Sequence, residues 1–304
     1  DRDGNPNVTP DITWSTLKKH RELVLDKYEE VLVELMKRFS HSTKIVTVTD
    51  ELLTSVEKEE ALIGANKKWR VEKEIYRRKF AIILERLRNV GKSELGYDSA
   101  DQLLDDLYMI QRSVNSHQPN QRELKMLRKL VRQVQLFGFH LATLDIRNHS
   151  GEHEAAITEI LQKVNICEDY ASLSEQEKIK MLEGILEDPR PITLLDEDYS
   201  EETQQMLRVF NLIREAHREF GDRAIEVYLV SMTEAASDLL EVLVLAKEAG
   251  IYRLHPDGRV ESNLNVAPLL ETVDDLIAGP EILKTLFEMD AYRKHLGERN
   301  NHQE

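Results

Sequence analysis

Three short apolar runs, set far apart, constrain the fold of this chain more than any other feature. Phe139-His-Leu-Ala-Thr-Leu-Asp-Ile146, Ile225-Glu-Val-Tyr-Leu-Val-Ser231 and Leu264-Asn-Val-Ala-Pro-Leu-Leu270 each read as a strand. Helical patterns fill the gaps between them, so tight turns cannot join these strands and parallel pairing through crossovers is the expected solution. Alternation along the first run puts Leu144 and Ile146 on one face and Thr143, Asp145 and Arg147 on the other. Each run ends in polar groups: Asp145 and Arg147, then Ser231, Thr233 and Glu234, then Glu271 and Thr272. Catalytic groups of parallel α/β barrels sit at the C-terminal ends of the strands. The expected fold is therefore mainly α, carrying part of a parallel α/β barrel of the TIM type whose other strands are missing.

Helices dominate the rest. Thr9-Pro10 opens the first, because a hydroxyl caps free amides and proline is tolerated at the first helical position. Trp14, Leu17, Val24, Tyr28, Val31, Leu35 and Phe39 then recur at helical spacing, predicting a helix over about 10–39. Further helices are predicted over about 50–63, 66–89, 99–114 and 121–137, the second and the last of these each followed by a glycine stop, Gly91 and Gly138. Beyond the first strand, helices are predicted over about 151–164, 174–186, 200–220 and 234–249, with more up to Leu296. This divides the chain into a long-helix region over 1–138 and a partial barrel over 139–304 with a helical insertion at about 151–220, expected to form one continuous piece.

Glu271 is the sharpest single candidate. It follows a buried-strand pattern directly, and an unpaired buried charge is costly, so it needs a partner. The simpler reading is a carboxylate at a helix N-terminus, held by free amides and the helix dipole. Arg147, taken alone, reads equally as an ion-pair partner of Asp145 on the same strand face. Both pairs of readings stand on pattern alone.

Composition narrows the function classes. With 41 Lys and Arg against 56 Asp and Glu, the net charge of −15 opposes contact with phosphate backbones and anionic lipid, so neither nucleic acid nor a membrane is an expected partner. No apolar run approaches the roughly 20 residues that span a bilayer. Cys167 is the one cysteine, which rules out an intramolecular disulfide and suits a reduced, cytoplasmic setting. Its acidic neighbours Glu168 and Asp169 raise a thiol pKa and argue against a nucleophile. His149-Ser-Gly-Glu-His153 has zinc-protease spacing, but Ser150 and Gly151 fall where a committed helix should already run and no third ligand is evident. His140 reads as a satisfied core histidine. The chain starts at Asp1 without methionine and ends on a polar tail, as an excised piece would.

Four separated motifs, in order, then resemble one family. They are Asp1-Arg-Asp-Gly-Asn-Pro-Asn-Val-Thr9; Phe137-Gly-Phe-His-Leu-Ala-Thr-Leu-Asp-Ile-Arg147; Tyr228-Leu-Val-Ser-Met232 with Ser237-Asp238 and Lys247-Glu-Ala-Gly250; and Ala267-Pro-Leu-Leu-Glu-Thr-Val-Asp-Asp-Leu276. Together they are similar to the middle of phosphoenolpyruvate carboxylase. The resemblance implies an eight-stranded α/β barrel among many extra helices, and the joining of bicarbonate to phosphoenolpyruvate to give oxaloacetate and phosphate with Mg²⁺ or Mn²⁺. By motif it makes Glu271 a metal ligand and Arg147 an active-site group near phosphate and bicarbonate, gripping oxyanions with paired donors. Asp1, Arg2, Asp3, Gly4 and Asn5 match the end of a motif near the site and receive no chemical step. It also implies a cytoplasmic homotetramer at full length. The family's catalytic histidine, second metal carboxylate and mobile loop fall outside residues 1–304, so this stretch alone is expected to be inactive and to bind Mn²⁺ weakly. Two other readings stay in view: another metal-dependent pyruvate or phosphoenolpyruvate barrel, and a non-catalytic helical scaffold.

Overall fold

The structure, a computed structural model, describes residues 4–5, 7–63, 73–117, 121–194 and 198–304. The chain divides into two compact units, residues 17–142 and residues 1–16 with 143–304. The described residues up to Thr16 fall in the sheet-bearing unit, whereas the sequence places the whole stretch to residue 138 in one helical region.

The helical unit is built from most of α1 (Pro10–Arg38), α2 (Asp50–Ile63), α3 (Ile75–Arg88), α4 (Ala100–Asn115) and α5 (Gln121–Phe137). Its core is the apolar face of each helix, including Leu32 and Leu35 of α1, Phe80 and Ile83 of α3, Leu107 and Ile110 of α4, and Leu127 and Leu130 of α5. Burying such side chains contributes roughly 1.5–3 kcal/mol each. The expected third helix began at residue 66, but residues 64–72 lie outside the described ones and α3 starts at Ile75. One charged group sits inside this core. Lys79 is fully buried and donates to Glu59 (2.8 Å), Ser55 (2.9 Å) and Asp106 (2.6 Å).

In the second unit, β1 (Ile146–His149), β2 (Val227–Ser231) and β5 (Asn265–Pro268) form a parallel three-stranded sheet in the order β1-β2-β5. Arg147 pairs in register with Leu229, and Leu229 with Ala267. The sheet is open, and among the described residues it does not close into the barrel expected from the sequence. α6 (Ser150–Lys163) packs on β1 and α9 (Ala236–Glu248) on β5, α7 (Glu175–Glu187) packs on α9 and α8 (Glu201–Phe220) on α6, and α10 (Val273–Glu288) and α11 (Asp290–Glu298) follow. α9 is the innermost of these, with Leu239, Leu240, Val242, Leu243, Val244 and Leu245 all essentially inaccessible.

Two expectations need correction. The first strand is displaced: of residues 139–146 only Ile146 joins the ladder, and β1 continues to His149. Gly138 (φ +47°) and Leu141 (φ +65°) adopt left-handed backbone, which a strand cannot contain, so 139–142 turns instead and 143–145 leads irregularly into β1. The predicted parity survives the shift, since Ile146 and Asn148 are buried while Arg147 lies on the opposite face. The second correction is an unpredicted antiparallel hairpin, β3 (Tyr252–Leu254) with β4 (Val260–Ser262). Its signal was present in His255-Pro-Asp-Gly258, where glycine supplies the φ of +81° that the turn needs.

Candidate functional site

Arg147, Ser231 and Glu271 meet at the C-terminal side of the three-stranded sheet. Glu271 Oε1 accepts from Arg147 Nη2 at 2.6 Å, and Oε2 accepts from the Ser231 hydroxyl at 3.0 Å. The same Arg147 nitrogen donates to Ser231 Oγ at 3.2 Å, which closes the triangle. The Arg147 and Glu271 side chains are 29% and 30% exposed, so the pair lies at a wet mouth over a dry floor: Ser231 is 1% exposed. The first-strand carboxylate Asp145 is therefore not the partner that Arg147 Nη2 reaches; Glu271 is.

Each corner has a local cause. Arg147 is the second residue of β1, and pairing of its strand with β2 fixes its height above the sheet. Ser231 is the last residue of β2, and Met232 after it is left-handed at φ +54°. Buried Ser150 donates to the Met232 carbonyl at 2.7 Å and buried Thr233 donates to the Val230 carbonyl at 2.8 Å, so the strained turn is held from both sides. Glu271 lies three residues past the end of β5. The Leu269 amide still bonds Val230 O (2.9 Å), and the Thr233 amide bonds Leu269 O (3.3 Å), tying this exit to β2. Gly279 of α10 packs directly on Leu270, where a Cβ would come within 2.5 Å of Leu270 Cδ1.

Glu271 is not a buried charge, as its position after an apolar run suggested, but a partly exposed one. Nor is it the carboxylate that closes the N-terminus of α10. That group is Asp275, whose Oδ2 accepts from the Thr272 amide (2.9 Å) and the Glu271 amide (3.2 Å), while the Asp275 amide donates to Thr272 Oγ1 (3.1 Å). The Thr272 hydroxyl and these amides hold the Asp275 carboxyl below the usual carboxylate range. With the cap filled by Asp275, the Glu271 side chain is given over to Arg147 and Ser231. Thr272-x-x-Asp275 was the overlooked signal, a capping box one residue after the candidate.

Of the opening motif, Asp1, Arg2 and Asp3 lie outside the described residues. Gly4 (φ +70°) and Asn5 are exposed, and Asn5 O accepts from the Val8 amide (3.2 Å). The chain then runs into a cavity of about 240 Å³ lined by Val8, Thr9, Thr13, Asp145, Arg147 and Leu212, so the segment after this motif borders the Arg147 strand.

The remaining sequence candidates have structural partners. His153 is fully buried in α6 with Nε2 2.8 Å from the Tyr228 hydroxyl, and burial pushes its pKa down to about 3. α6 runs through Ser150 and Gly151 although neither residue favours a helix, and His149 is its cap, accepting from the Gly151 amide at 3.0 Å. His140 is buried, in a turn rather than a strand. Among the described residues no three His, Cys, Asp or Glu side chains cluster as a metal-binding group. A single carboxylate of this kind still fits a hard divalent cation, because Mg²⁺ keeps several waters and takes one or two carboxylates. Each oxygen of Glu271 accepts one protein hydrogen bond and has a second lone pair. None of the described helices is long and apolar enough to cross a membrane.

The family model described as phosphoenolpyruvate carboxylase matches residues 1–304. Curated relatives with that name include one from Roseiflexus castenholzii, 36% identical over 100% of this chain and 34% of its own length. A Prochlorococcus marinus relative is 37% identical over 97% of this chain and 32% of its own length. One from Synechocystis sp. is 36% identical over 97% of this chain and 30% of its own length. The chain thus spans about a third of the length of the relatives it matches.

Proposed function

Because the chain belongs to the phosphoenolpyruvate carboxylase family, we propose that it supplies the Arg147–Glu271 side of a site that carboxylates phosphoenolpyruvate with bicarbonate, yielding oxaloacetate and phosphate. The observation that carries this reading is that one guanidinium, one hydroxyl and one carboxylate, from or just past three parallel strands, meet in one hydrogen-bonded triangle. The family implies a divalent cation requirement, and in our reading Glu271 is the residue of this chain that holds Mg²⁺ or Mn²⁺. When bound there, such a cation supplies positive charge against the negative charge that grows on substrate oxygens.

The chain's own residues do the rest of what is proposed. Arg147 carries a permanent charge and a planar fork of donors, matched to the oxyanions of phosphate, bicarbonate or the carboxyphosphate formed between them. Its pairing with Glu271 keeps that fork at the strand ends, where substrates enter barrels of this class. A cavity bordered by Val8, Thr13 and Leu212 lies beside it. Asp1, Arg2, Asp3, Gly4 and Asn5 lead into this region and are given proximity without a chemical step. The wider barrel, a cytoplasmic location and assembly as a homotetramer are carried with the same reading.

The test uses the intact gene product that carries this sequence. Oxaloacetate formation coupled to malate dehydrogenase is expected in the wild type, with a drop of at least about 100-fold in Glu271→Gln and in Arg147→Gln. Wild-type activity that survives Glu271→Gln with unchanged Mn²⁺ dependence would sink the assignment.

A further inference from the structure

Ser231 touches both proposed functional groups, yet no chemical role is attached to it. Its hydroxyl has one proton and accepts through its oxygen, and both capacities are used within the triangle: the proton goes to Glu271 Oε2 and the oxygen takes a proton from Arg147 Nη2. At 1% exposure it lies beneath the pair, where water cannot take over either bond. The backbone beside it is strained, since Met232 holds a left-handed φ of +54° that L-residues rarely adopt. Strain of this sort persists only where the surroundings over-determine it, and here Ser150 and Thr233 clamp the turn through the carbonyls of Met232 and Val230.

We infer that Ser231 is a positioning residue, which fixes the plane of the Glu271 carboxylate and the pitch of the Arg147 guanidinium so that one faces a cation and the other an anion. This rests on the proposed function. Two bonds to opposite partners explain why a hydroxyl is needed: an amide or carboxylate would overfill the floor, and a methyl would leave Glu271 Oε2 without its protein donor. Groups that orient metal ligands in this way typically change metal affinity by 10–100-fold when removed.

The experiment titrates Mn²⁺ by electron paramagnetic resonance against the intact gene product and its variants, beside kcat and the melting temperature. Ser231→Ala is expected to weaken Mn²⁺ by about tenfold and to lower kcat by a similar factor. Ser231→Thr, which keeps the hydroxyl, is expected to restore both. If Ser231→Ala melts early, Ser231→Cys retains the shape with a poor donor, and the same loss is expected of it. Ser231→Ala or Ser231→Cys with wild-type Mn²⁺ affinity and kcat overturns the positioning role alone. A wild type that binds no Mn²⁺, or whose binding is indifferent to Glu271→Gln, overturns the proposed function and takes this role with it.

Discussion

Asp238 should make α9 lose stability as the solution is brought from acid to neutral pH. Its Oδ2 accepts from the Glu234 amide (2.8 Å) and the Ala235 amide (3.0 Å) just ahead of the helix. Burial nevertheless raises its carboxyl from 3.8 to about 6, with the charges of Glu175 and Glu234 adding to the rise. The folded chain therefore holds this proton more tightly than the unfolded chain. The resulting stability is fully present below about pH 4 and is lost as pH climbs through about 6. At about 1.4 kcal/mol per pH unit the interval corresponds to about 3 kcal/mol, which solvent around a partly buried group reduces to about 1–2 kcal/mol.

The wild-type curve alone cannot isolate this effect. Burial pushes His153 down to about 3 and His295 to about 4, and their contribution has the opposite sign, being lost as pH falls below about 6.5. Asp238→Asn keeps an oxygen for both amides and removes the titration, so the difference between variant and parent cancels the histidines. Hydrogen exchange of the α9 amides, followed by mass spectrometry from pH 4.5 to 7.5 and corrected for intrinsic rates, measures it locally. The variant should gain about 1–2 kcal/mol on the parent across that span. A difference that stays flat, or runs the other way, refutes the reasoning.

Removing a partner from the buried Lys79 network should be far costlier than any surface ion pair: Asp106→Ala leaves a fully buried ammonium under-compensated and should cost about 3–5 kcal/mol by urea denaturation. Leu243→Ala in the fully enclosed α9 should cost about 2–5 kcal/mol in the same assay, the upper end if the neighbouring helices cannot collapse onto the hole. Tyr170→Phe removes the donor to Glu241 Oε1 (2.9 Å) in a carboxyl whose Oε2 already has no partner, so melting should report a loss of about 1–3 kcal/mol. Burial, with the charge of Asp238, raises the Glu241 carboxyl well above the usual range, so Glu241→Gln should stabilise the protein more at pH 8 than at pH 5; equal effects at both would contradict this.

Much of the helical framework is legible because its signals are local. α2 begins and ends where the periodicity does, Ser99 and Ser200 cap α4 and α8 through their hydroxyls, and Ser174 with Glu177 form the capping box read from the sequence. The first strand is less legible, since Phe139 to Ile146 is apolar enough for a strand and nothing in composition reveals that Leu141 turns left-handed. The hairpin at Tyr252–Ser262 carried a clear turn signal that short apolar strands could not support alone.

The division is similar at the site. Sequence by itself determined which residues are available: a carboxylate after one apolar run, a guanidinium after another, a serine closing the third, and the capping box that relieves Glu271 of duty at α10. Those are properties of type and spacing along the chain. Only tertiary structure decided that Arg147 and Glu271, 124 residues apart, share a 2.6 Å bond and that Ser231 lies beneath both. Parallel pairing is the physical reason, for it brings the C-terminal ends of distant strands to one edge, and neither the register nor the left-handed turn at Met232 is encoded in any local period.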